Sequence, residues 1–216
     1  MSTQSTLVTA EHFRYLAERT LKEDAFLSDL RRAAGEASLP AIHIAPEQAS
    51  FLQILLRLNR AREVIEVGTL GGYSAIAMAR ALPEGGSVRT IEINAAFAEF
   101  ARSWIARSDV ADRVEVIEGR GMDVLPTFET DSADAAFLDA DKTSYTGYLR
   151  ESLRIVRPGG LLCVDNAFAF GQIFDEDPTD PEVGAVRAFN DFMAKVEGLQ
   201  SVIVPLGDGC WVGVKT

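Results

Sequence analysis

The sequence predicts one α/β domain with a mainly parallel sheet, an antiparallel C-terminal hairpin and extra N-terminal helices. Short apolar runs alternate with segments of helical periodicity, which is typical of consecutive βαβ units. A glycine-rich turn separates the first strand from the next helix, as in nucleotide-binding folds. Gly207-Asp208-Gly209 lies between two late strand-like runs, which indicates a hairpin and an antiparallel sheet edge.

Length and composition support a single domain over residues 1–216. Hydrophobic residues make up 47% and charged residues 25%, a balance that allows a substantial core. The net charge is −11, from 21 Lys+Arg against 32 Asp+Glu, and no basic cluster interrupts it. Such a surface repels nucleic acid and anionic membranes. We therefore expect small neutral or cationic ligands rather than nucleic acid or membrane partners.

Cysteine content and the N-terminal sequence predict a cytoplasmic protein. Cys163 and Cys210 lie in different predicted strands and give no disulfide framework, so we expect buried free thiols. The opening MSTQSTLVTAEHF lacks the basic start and apolar core of a signal peptide. No apolar run approaches the ~20 residues that a membrane helix needs.

Two helices are predicted before the first strand, within residues 9–34. Thr9 can cap a helix that begins at Ala10, and a second helix runs from Asp24 to Ala34 before Gly35 ends it. Because they precede every strand, these helices are additions to the sheet. They could cover a site or a partner subunit, or could simply pack against the domain.

From Pro46 onwards, helices and strands alternate. The predicted strands are Glu63–Val67, Ser87–Glu92, Arg113–Ile117, Ala135–Leu138, Leu161–Val164, Ser201–Pro205 and Cys210–Val214. The predicted helices begin at Pro46 and span Tyr73–Leu82, Ala95–Arg107, Met122–Phe128, Tyr145–Val156 and about Pro181–Val196. Residues 167–180 lack periodicity, which is typical of a lid, a binding loop or a mobile segment.

The glycine-rich turn and the end of the second strand indicate a ribose-containing ligand. Residues 68–72 have the spacing G-x-x-G-G, and Leu70 stands where a dinucleotide fingerprint has its middle glycine. This spacing disfavours an NAD-dependent oxidoreductase. Glu92 ends the second strand, where a carboxylate typically hydrogen-bonds ribose hydroxyls. A solvated strand-end glutamate is the alternative interpretation.

Polar side chains follow two further strands where each strand ends. Asp139 and Lys142 come after the fourth strand, and Asp165 and Asn166 follow the fifth. Ligands of open parallel sheets bind at the carboxyl ends of strands, so these side chains should share one site. Asp139, Asp165 and Asn166 offer only oxygen donors, which suit Mg²⁺ or Ca²⁺, and Lys142 could take a proton there. Asp and Asn are also ordinary turn formers, the structural alternative.

Taken together, these motifs resemble the cation-dependent S-adenosylmethionine O-methyltransferases, the group that includes caffeoyl-CoA and catechol O-methyltransferases. The likeness runs from about Ile42 to Lys215. The matching motifs are Glu66-Val67-Gly68-Thr69 with Gly72-Tyr73-Ser74, Leu138-Asp139-Ala140-Asp141-Lys142 with Tyr145, Gly159-Gly160 before Asp165-Asn166, and Gly207-Asp208-Gly209. The resemblance implies a Rossmann-like class I methyltransferase domain that forms a homodimer.

The resemblance also implies a role for each matching position. The implied contacts to S-adenosylmethionine are Ile42, Ile44, Glu66, Gly68, Thr69, Ser74, Glu92, Gly121, Asp139 and Asp141. Among them, Glu92 would bind the ribose hydroxyls and Gly121 would lie beside the adenine. Asp139, Asp165 and Asn166 would bind Mg²⁺, or Mn²⁺ or Ca²⁺ in its place. Lys142 would be the general base.

The implied reaction is metal-dependent methylation of a hydroxyl on a small catechol-like aromatic diol. Ala169 and Phe170 stand where plant-type members carry a tryptophan and a polar substrate-binding residue, which disfavours a hydroxycinnamoyl-CoA substrate. Phe168 and Phe170 better suit a small aromatic diol, or pack within a lid. Methylation of a hydroxyuridine in tRNA is an alternative that the charge of −11 disfavours. A further alternative is a binding module that holds the cofactor as a sensor and catalyses no reaction.

Overall fold

The computed structural model describes residues 8–216. Residues 1–7, which begin the N-terminal stretch predicted not to be a signal peptide, lie outside the described part. Seven strands form one sheet: β1 Glu63–Val67, β2 Ser87–Glu92, β3 Val114–Glu118, β4 Ala133–Leu138, β5 Val156–Val164, β6 Leu199–Val204 and β7 Cys210–Lys215. The α-helices are α1 Ala10–Arg19, α2 Ala25–Glu36, α3 Pro46–Asn59, α4 Tyr73–Ala79, α5 Ala95–Ile105, α6 Gly121–Val124, α7 Tyr145–Ile155 and α8 Val183–Met193.

The strand order is β3-β2-β1-β4-β5-β7-β6, with β1 to β5 parallel and β7 antiparallel to both β5 and β6. This confirms the predicted parallel sheet with an antiparallel C-terminal hairpin. Leu138 on β4 pairs with Val67 on β1 and with Val164 on β5. The residues that follow these three strands therefore leave the sheet side by side at one edge.

Apolar side chains cover both faces of the sheet. Phe137 faces a core that includes Leu52 of α3 and Ile76 of α4, whereas Leu138 faces a second core with Leu149 of α7. Successive side chains of a strand point to opposite faces, and in β4 both faces are buried. The short apolar runs were therefore predicted correctly as central strands, because helices cover both faces of the sheet.

The N-terminal helices differ in how they pack. Asp24 accepts a hydrogen bond from the amide of Leu27 (2.9 Å) and so caps α2, which buries Leu30 against the body of the domain. Among its ten residues α1 buries none. The covering role of this segment stays a prediction.

The start of β5 differs from the prediction. The helix before it ends at Ile155, and the strand begins at Val156 rather than at Leu161. Val156 pairs with Ala133 before an irregularity in register, so Pro158 and the following glycines lie inside the strand. Proline lacks an N–H for the ladder, which explains why the break falls at this bulge.

Several helix ends also differ from the prediction: α2 continues through Gly35 to Glu36, and α5 ends at Ile105 rather than at Arg107. α4 and α6 end early, at Ala79 and Val124. α8 begins at Val183 because the carboxylate of Asp180 accepts the amide of Glu182 (2.8 Å), which closes a turn ahead of the helix. Within residues 8–216, no helix combines the length and apolar character that a membrane crossing requires.

Both cysteines are buried free thiols in the described chain, as predicted. Cys163 lies on β5 and Cys210 on the adjacent β7. A hydrogen bond with Cys163 and burial raise the pKa of Cys210 well above its ordinary value. The reactive thiolate form is therefore suppressed at this position.

Candidate active site

A cavity of about 330 Å³ opens at the carboxyl ends of the parallel strands. Nine of the predicted cofactor-binding residues line it: Ile42, Ile44, Gly68, Thr69, Ser74, Glu92, Gly121, Asp139 and Asp141. Ile42 is 57% exposed, whereas Ile44 is buried. The structure thus brings residues from six separate segments of the sequence into one wall, with Ile42 at its outer edge.

Gly68 lies where the end of β1 passes close to the end of β4, and only glycine fits there. It has a φ of +103°, and a Cβ there would overlap the backbone carbonyl oxygen of Asp139. Its amide donates to the carbonyl of Ile91 (3.0 Å). A side chain at Gly68 would therefore push apart the ends of β1 and β4 as well as obstruct a ligand.

Glu92 is held rigidly at the cavity wall. Oε2 accepts the amide of Leu70 (2.8 Å) and Oε1 accepts the amide of Asn94 (2.9 Å). The residue is only 7% exposed, so it is not a solvated strand end. Each oxygen retains a second lone pair for a ligand donor.

Glu66 lies behind the cavity rather than on its wall. The side chain is fully buried, and Oε2 accepts the hydroxyl of Thr90 (2.6 Å), which in turn lies 2.6 Å from the hydroxyl of Thr69. Oε1 has no hydrogen-bond partner among the described residues. Burial raises the pKa of Glu66 to about 8, against the opposing effects of the Ser74 and Thr90 hydroxyls. An unpaired buried oxygen of this kind is rare and suits a ligand donor.

The predicted acidic cluster forms directly beside the cavity. Nζ of Lys142 lies 2.5 Å from Oδ1 of Asn166, 3.4 Å from Oδ1 of Asp139 and 2.7 Å from the hydroxyl of Tyr145. Lys142 and Asp165 are only 8% and 5% exposed. Asp139 belongs to both the cavity wall and the cluster. The four predicted residues therefore converge, as the parallel register requires.

The cluster is electrostatically crowded. Burial and the neighbouring Asp139 raise the pKa of Asp165 to about 7. Burial raises the pKa of Asp139 as well, although Lys142 opposes this rise. Like charges in a shielded site repel strongly, so a cation among these oxygens would relieve the repulsion.

The oxygen donors of the cluster are two carboxylates and one amide. Within residues 8–216, no group of three His, Cys, Asp or Glu side chains converges on a single point. The third protein ligand of any cation here would therefore be the amide oxygen of Asn166.

Sequence reasoning missed the residues that support the cluster. Gln48 of α3 donates its amide to Oδ1 of Asp165 (2.7 Å), and it is 2% exposed. The sequence does contain one indication of this role: Gln48 is a polar residue on the apolar face of α3, four positions before Leu52. Tyr148 donates to Oδ1 of Asp141 (2.5 Å), and Glu182 accepts the amide of Lys142 (3.1 Å).

Residues 167–180 form hydrogen-bonded turns beside the cluster. Oε1 of Gln172 accepts the amide of Thr179 (2.7 Å), and Arg187 of α8 donates to the carbonyl of Ile173 (2.9 Å). Phe170 is 54% exposed and Phe174 is 91% exposed. The segment therefore presents aromatic side chains to solvent from a braced backbone.

Fold and site together define a class of protein. The seven-stranded sheet with its antiparallel hairpin carries a cavity over the glycine-rich turn after β1 and beside the acidic end of β2. This arrangement is the Rossmann-like class I methyltransferase fold.

Comparisons with known proteins identify the family. A family model described as O-methyltransferase matches residues 17–216. The chain is 37% identical over 204 residues to the catechol O-methyltransferase of Niastella koreensis, covering 93% of this chain and 90% of that protein. It is 36% identical over 200 residues to the catechol O-methyltransferase of Mycobacterium tuberculosis, covering 92% and 90%. The structure of the O-methyltransferase TomG from Streptomyces achromogenes, in complex with SAM, superposes with a TM-score of 0.84 at 36% identity, covering 95% of this chain and 96% of that one.

The chain belongs to the O-methyltransferase family. This confirms the predicted family and the expected enzyme class, an S-adenosylmethionine-dependent O-methyltransferase.

Proposed function

We propose that the protein transfers the methyl group of S-adenosylmethionine to one hydroxyl of a small aromatic vicinal diol, with the aid of a divalent cation. The observation that carries this proposal is the convergence of Asp139, Asp165 and Asn166 with Lys142 at the edge of the cavity. Two related proteins named catechol O-methyltransferase support the substrate class.

The cavity fits a cofactor that carries positive charge and a ribose. Glu92, Asp139 and Asp141 line it, together with the apolar residues Ile42 and Ile44. The unpaired Oε1 of Glu66 lies behind the wall. When bound, S-adenosylmethionine supplies a methyl group on a positively charged sulfonium, which these carboxylates would complement.

The acidic cluster fits a hard divalent cation. Two carboxylates and an amide oxygen are the donors that Mg²⁺ takes in proteins, and such sites leave positions for substrate oxygens. Two adjacent oxygens of a catechol could fill two of those positions. When bound, the cation lowers the pKa of a hydroxyl that it contacts. Mg²⁺ is the proposed ion, with Mn²⁺ or Ca²⁺ as substitutes.

Lys142 is the proposed general base. To act, Nζ takes the proton of the acceptor hydroxyl, and its contacts at 2.5 Å to Asn166 and 2.7 Å to Tyr145 fix its position. Burial raises the pKa of Tyr145 well above its ordinary value, so its hydroxyl stays protonated. Tyr145 therefore orients the lysine rather than replacing it as the base.

We infer that residues 1–216 form one domain that acts as a homodimer in the cytoplasm. Exposed apolar side chains of the N-terminal segment and of α3 support self-association: Tyr15, Leu16, Leu21, Ile54 and Leu58. The acidic charge of −11 continues to disfavour a tRNA substrate.

Replacing Glu92 with alanine should weaken S-adenosylmethionine binding by about 10–100-fold. A hydrogen bond to a charged group contributes roughly 1.5–3 kcal/mol, and the change also leaves the amides of Leu70 and Asn94 unpaired. Titration calorimetry in EDTA isolates this effect from metal binding. The control is Glu115→Ala on the exposed side of β3. Unchanged affinity in Glu92→Ala would remove this residue from the cofactor site.

The substrate class is tested with catechol, its mono-methyl ether and phenol, read by mass spectrometry of the products. We expect catechol to be methylated and the other two to react at least about tenfold more slowly, because they cannot offer two ionisable adjacent oxygens; tenfold corresponds to about 1.4 kcal/mol of transition-state stabilisation. EDTA should abolish the reaction and Mg²⁺ should restore it. Equal turnover of all three compounds would contradict chelation, and methylation of tRNA alone would favour the alternative substrate.

A further inference from the structure

The Gly207-Asp208-Gly209 turn between β6 and β7 does more than reverse the chain. We propose that Asp208 is a positioning residue that fixes the side-chain amide of Asn166 and holds residues 167–171 beside the acidic cluster. For the metal, the proposal rests on the proposed function; for residues 167–171, it stands on the apo protein alone.

Asp208 bridges the candidate metal ligand and the segment that follows it. Its Oδ2 accepts hydrogen bonds from Nδ2 of Asn166 (3.2 Å) and from the amide of Phe170 (2.7 Å). Its backbone carbonyl accepts the amide of Phe168 (2.9 Å), and the carbonyl of Gly209 accepts the amide of Ala167 (2.8 Å). This turn therefore accepts hydrogen bonds from four of the five residues in the segment 166–170, all except Ala169.

The bond to Asn166 decides which end of its amide faces the cluster. An asparagine side chain presents an acceptor oxygen on one side and a donor NH₂ on the other. Because the NH₂ group donates to Asp208, the oxygen faces Nζ of Lys142 at 2.5 Å. A flipped amide would direct donor hydrogens at Lys142 and at any cation. A carboxylate at Asp208 excludes that orientation.

The bond to Phe170 stabilises an unfavourable backbone. Asn166, Ala169 and Phe170 all have positive φ values, of 63°, 50° and 53°. Left-handed conformations of residues other than glycine persist only where surrounding contacts compensate for them. The amide of Phe170 finds that compensation at Oδ2 of Asp208.

The two glycines that flank Asp208 pack closely against other side chains. Gly207 has a φ of +59°, and a Cβ there would collide with the side-chain oxygen of Gln48, the residue that holds Asp165. Gly209 has a φ of +78°, and a Cβ there would lie 2.8 Å from the ring of Phe168. The two glycines therefore allow Asp208 to reach the cluster between these side chains.

The test compares Asp208→Ala with Asp208→Asn. Both variants lose the same charge, but asparagine keeps one acceptor oxygen, and in the structure a single oxygen accepts both bonds. A difference between the two variants in metal affinity or in hydrogen exchange would therefore come from the lost hydrogen bonds and not from the lost charge. Glu176→Ala, which removes an exposed carboxylate from the segment 167–180, is the control. Asp208→Ser replaces the alanine variant if circular dichroism shows that the latter does not fold.

Two readouts are measured: the Mn²⁺ dissociation constant by calorimetry, and amide hydrogen exchange of residues 167–171 in EDTA. In Asp208→Ala we expect a dissociation constant about 10–100-fold higher, the usual effect of losing a partner that orients a metal ligand. Exchange at Phe170 should accelerate at least about tenfold, since about 1.4 kcal/mol of local stability is one factor of ten. Asp208→Asn should stay near wild type in both, as should Glu176→Ala.

Either of two results overturns the proposal. If Asp208→Asn weakens Mn²⁺ binding as much as Asp208→Ala, the effect is one of charge. If Asp208→Ala leaves affinity and exchange unchanged, Asp208 positions nothing. Wild-type protein that binds no Mn²⁺ would instead refute the proposed metal site, and hydrogen exchange would still decide whether Asp208 holds residues 167–171.

Discussion

Replacing Lys142 with alanine should lower kcat on a catechol by about 10²–10⁴-fold, the usual contribution of a general base. The buried Nζ is fixed beside the cluster by its contacts to Asn166 and Tyr145, and alanine offers no group that can accept the proton there. Binding of S-adenosylmethionine should stay near wild type, because Lys142 does not line the cavity. Affinity for Mg²⁺ should be unchanged or higher, because an ammonium beside Asp139 is removed.

The measurement is a pH–rate series for wild type, Lys142→Ala and the control Lys195→Ala, which removes an exposed lysine after α8. Raising the pH should partly restore the Lys142→Ala rate, because solvent can then deprotonate the substrate hydroxyl. Wild-type kcat in Lys142→Ala, with metal and cofactor bound, would exclude the lysine from proton transfer.

Replacing Asp165 with asparagine should abolish the stabilisation of the protein by divalent cations. Saturation to about 100 times Kd stabilises a folded protein by about 2.7 kcal/mol, so wild type should melt at a higher temperature with Mg²⁺ or Mn²⁺. The variant should lose more affinity than the roughly 10–100-fold typical for loss of an orienting partner, because a ligand carboxylate itself is removed. Asparagine retains an oxygen for Gln48. Fold and cofactor binding should therefore survive.

The same variant should change how the metal-free protein responds to pH. Because the folded state raises the pKa of Asp165 from 3.8 to about 7, its carboxyl supports folding fully below pH 4, and this contribution is lost as the pH rises through 7. Asp165→Asn cannot ionise. In EDTA, the variant should melt above wild type at pH 8, by about 2–4 °C for each kcal/mol recovered, and the two should converge near pH 4.

Asp177→Asn, an exposed carboxylate in the nearby loop, is the control for this series. Parallel melting curves for wild type and Asp165→Asn from pH 4 to 8 would show that the crowding of Asp139 and Asp165 does not affect folding. A cation response that persists in Asp165→Asn would place the metal elsewhere.

Much of the candidate site could be predicted because it follows from sheet geometry. Parallel strands end at one edge, so Asp139 after β4 and Asp165 after β5 had to approach each other once the strands were recognised. Gly68 was assigned from the glycine-rich turn and the family resemblance, and the structure adds that the end of β4 leaves no room for a side chain there. For the two carboxylates a local pattern and one general rule of topology were sufficient.

The supporting residues could not be predicted in the same way. Gln48 and Asp165 are 117 positions apart, and nothing local to either indicates that α3 places one against the other. Asp208 was recognised only as part of a hairpin turn, because its contact to Asn166 depends on how far β7 runs along β5. Glu66 shows the converse: its position was predicted, but the placement of its carboxylate behind the cavity depends on Thr90.

The order of strands has a consequence for synthesis of the chain. β7 is inserted between β5 and β6, although it is the last strand to be made. At about 5–20 residues per second, roughly 2–10 s separate the appearance of Asn166 from that of Trp211. During that interval the edge of β5 is unpaired, and an unpaired apolar edge invites association with other chains. We therefore expect nascent chains stalled before β7 to bind chaperones more strongly than chains stalled after it.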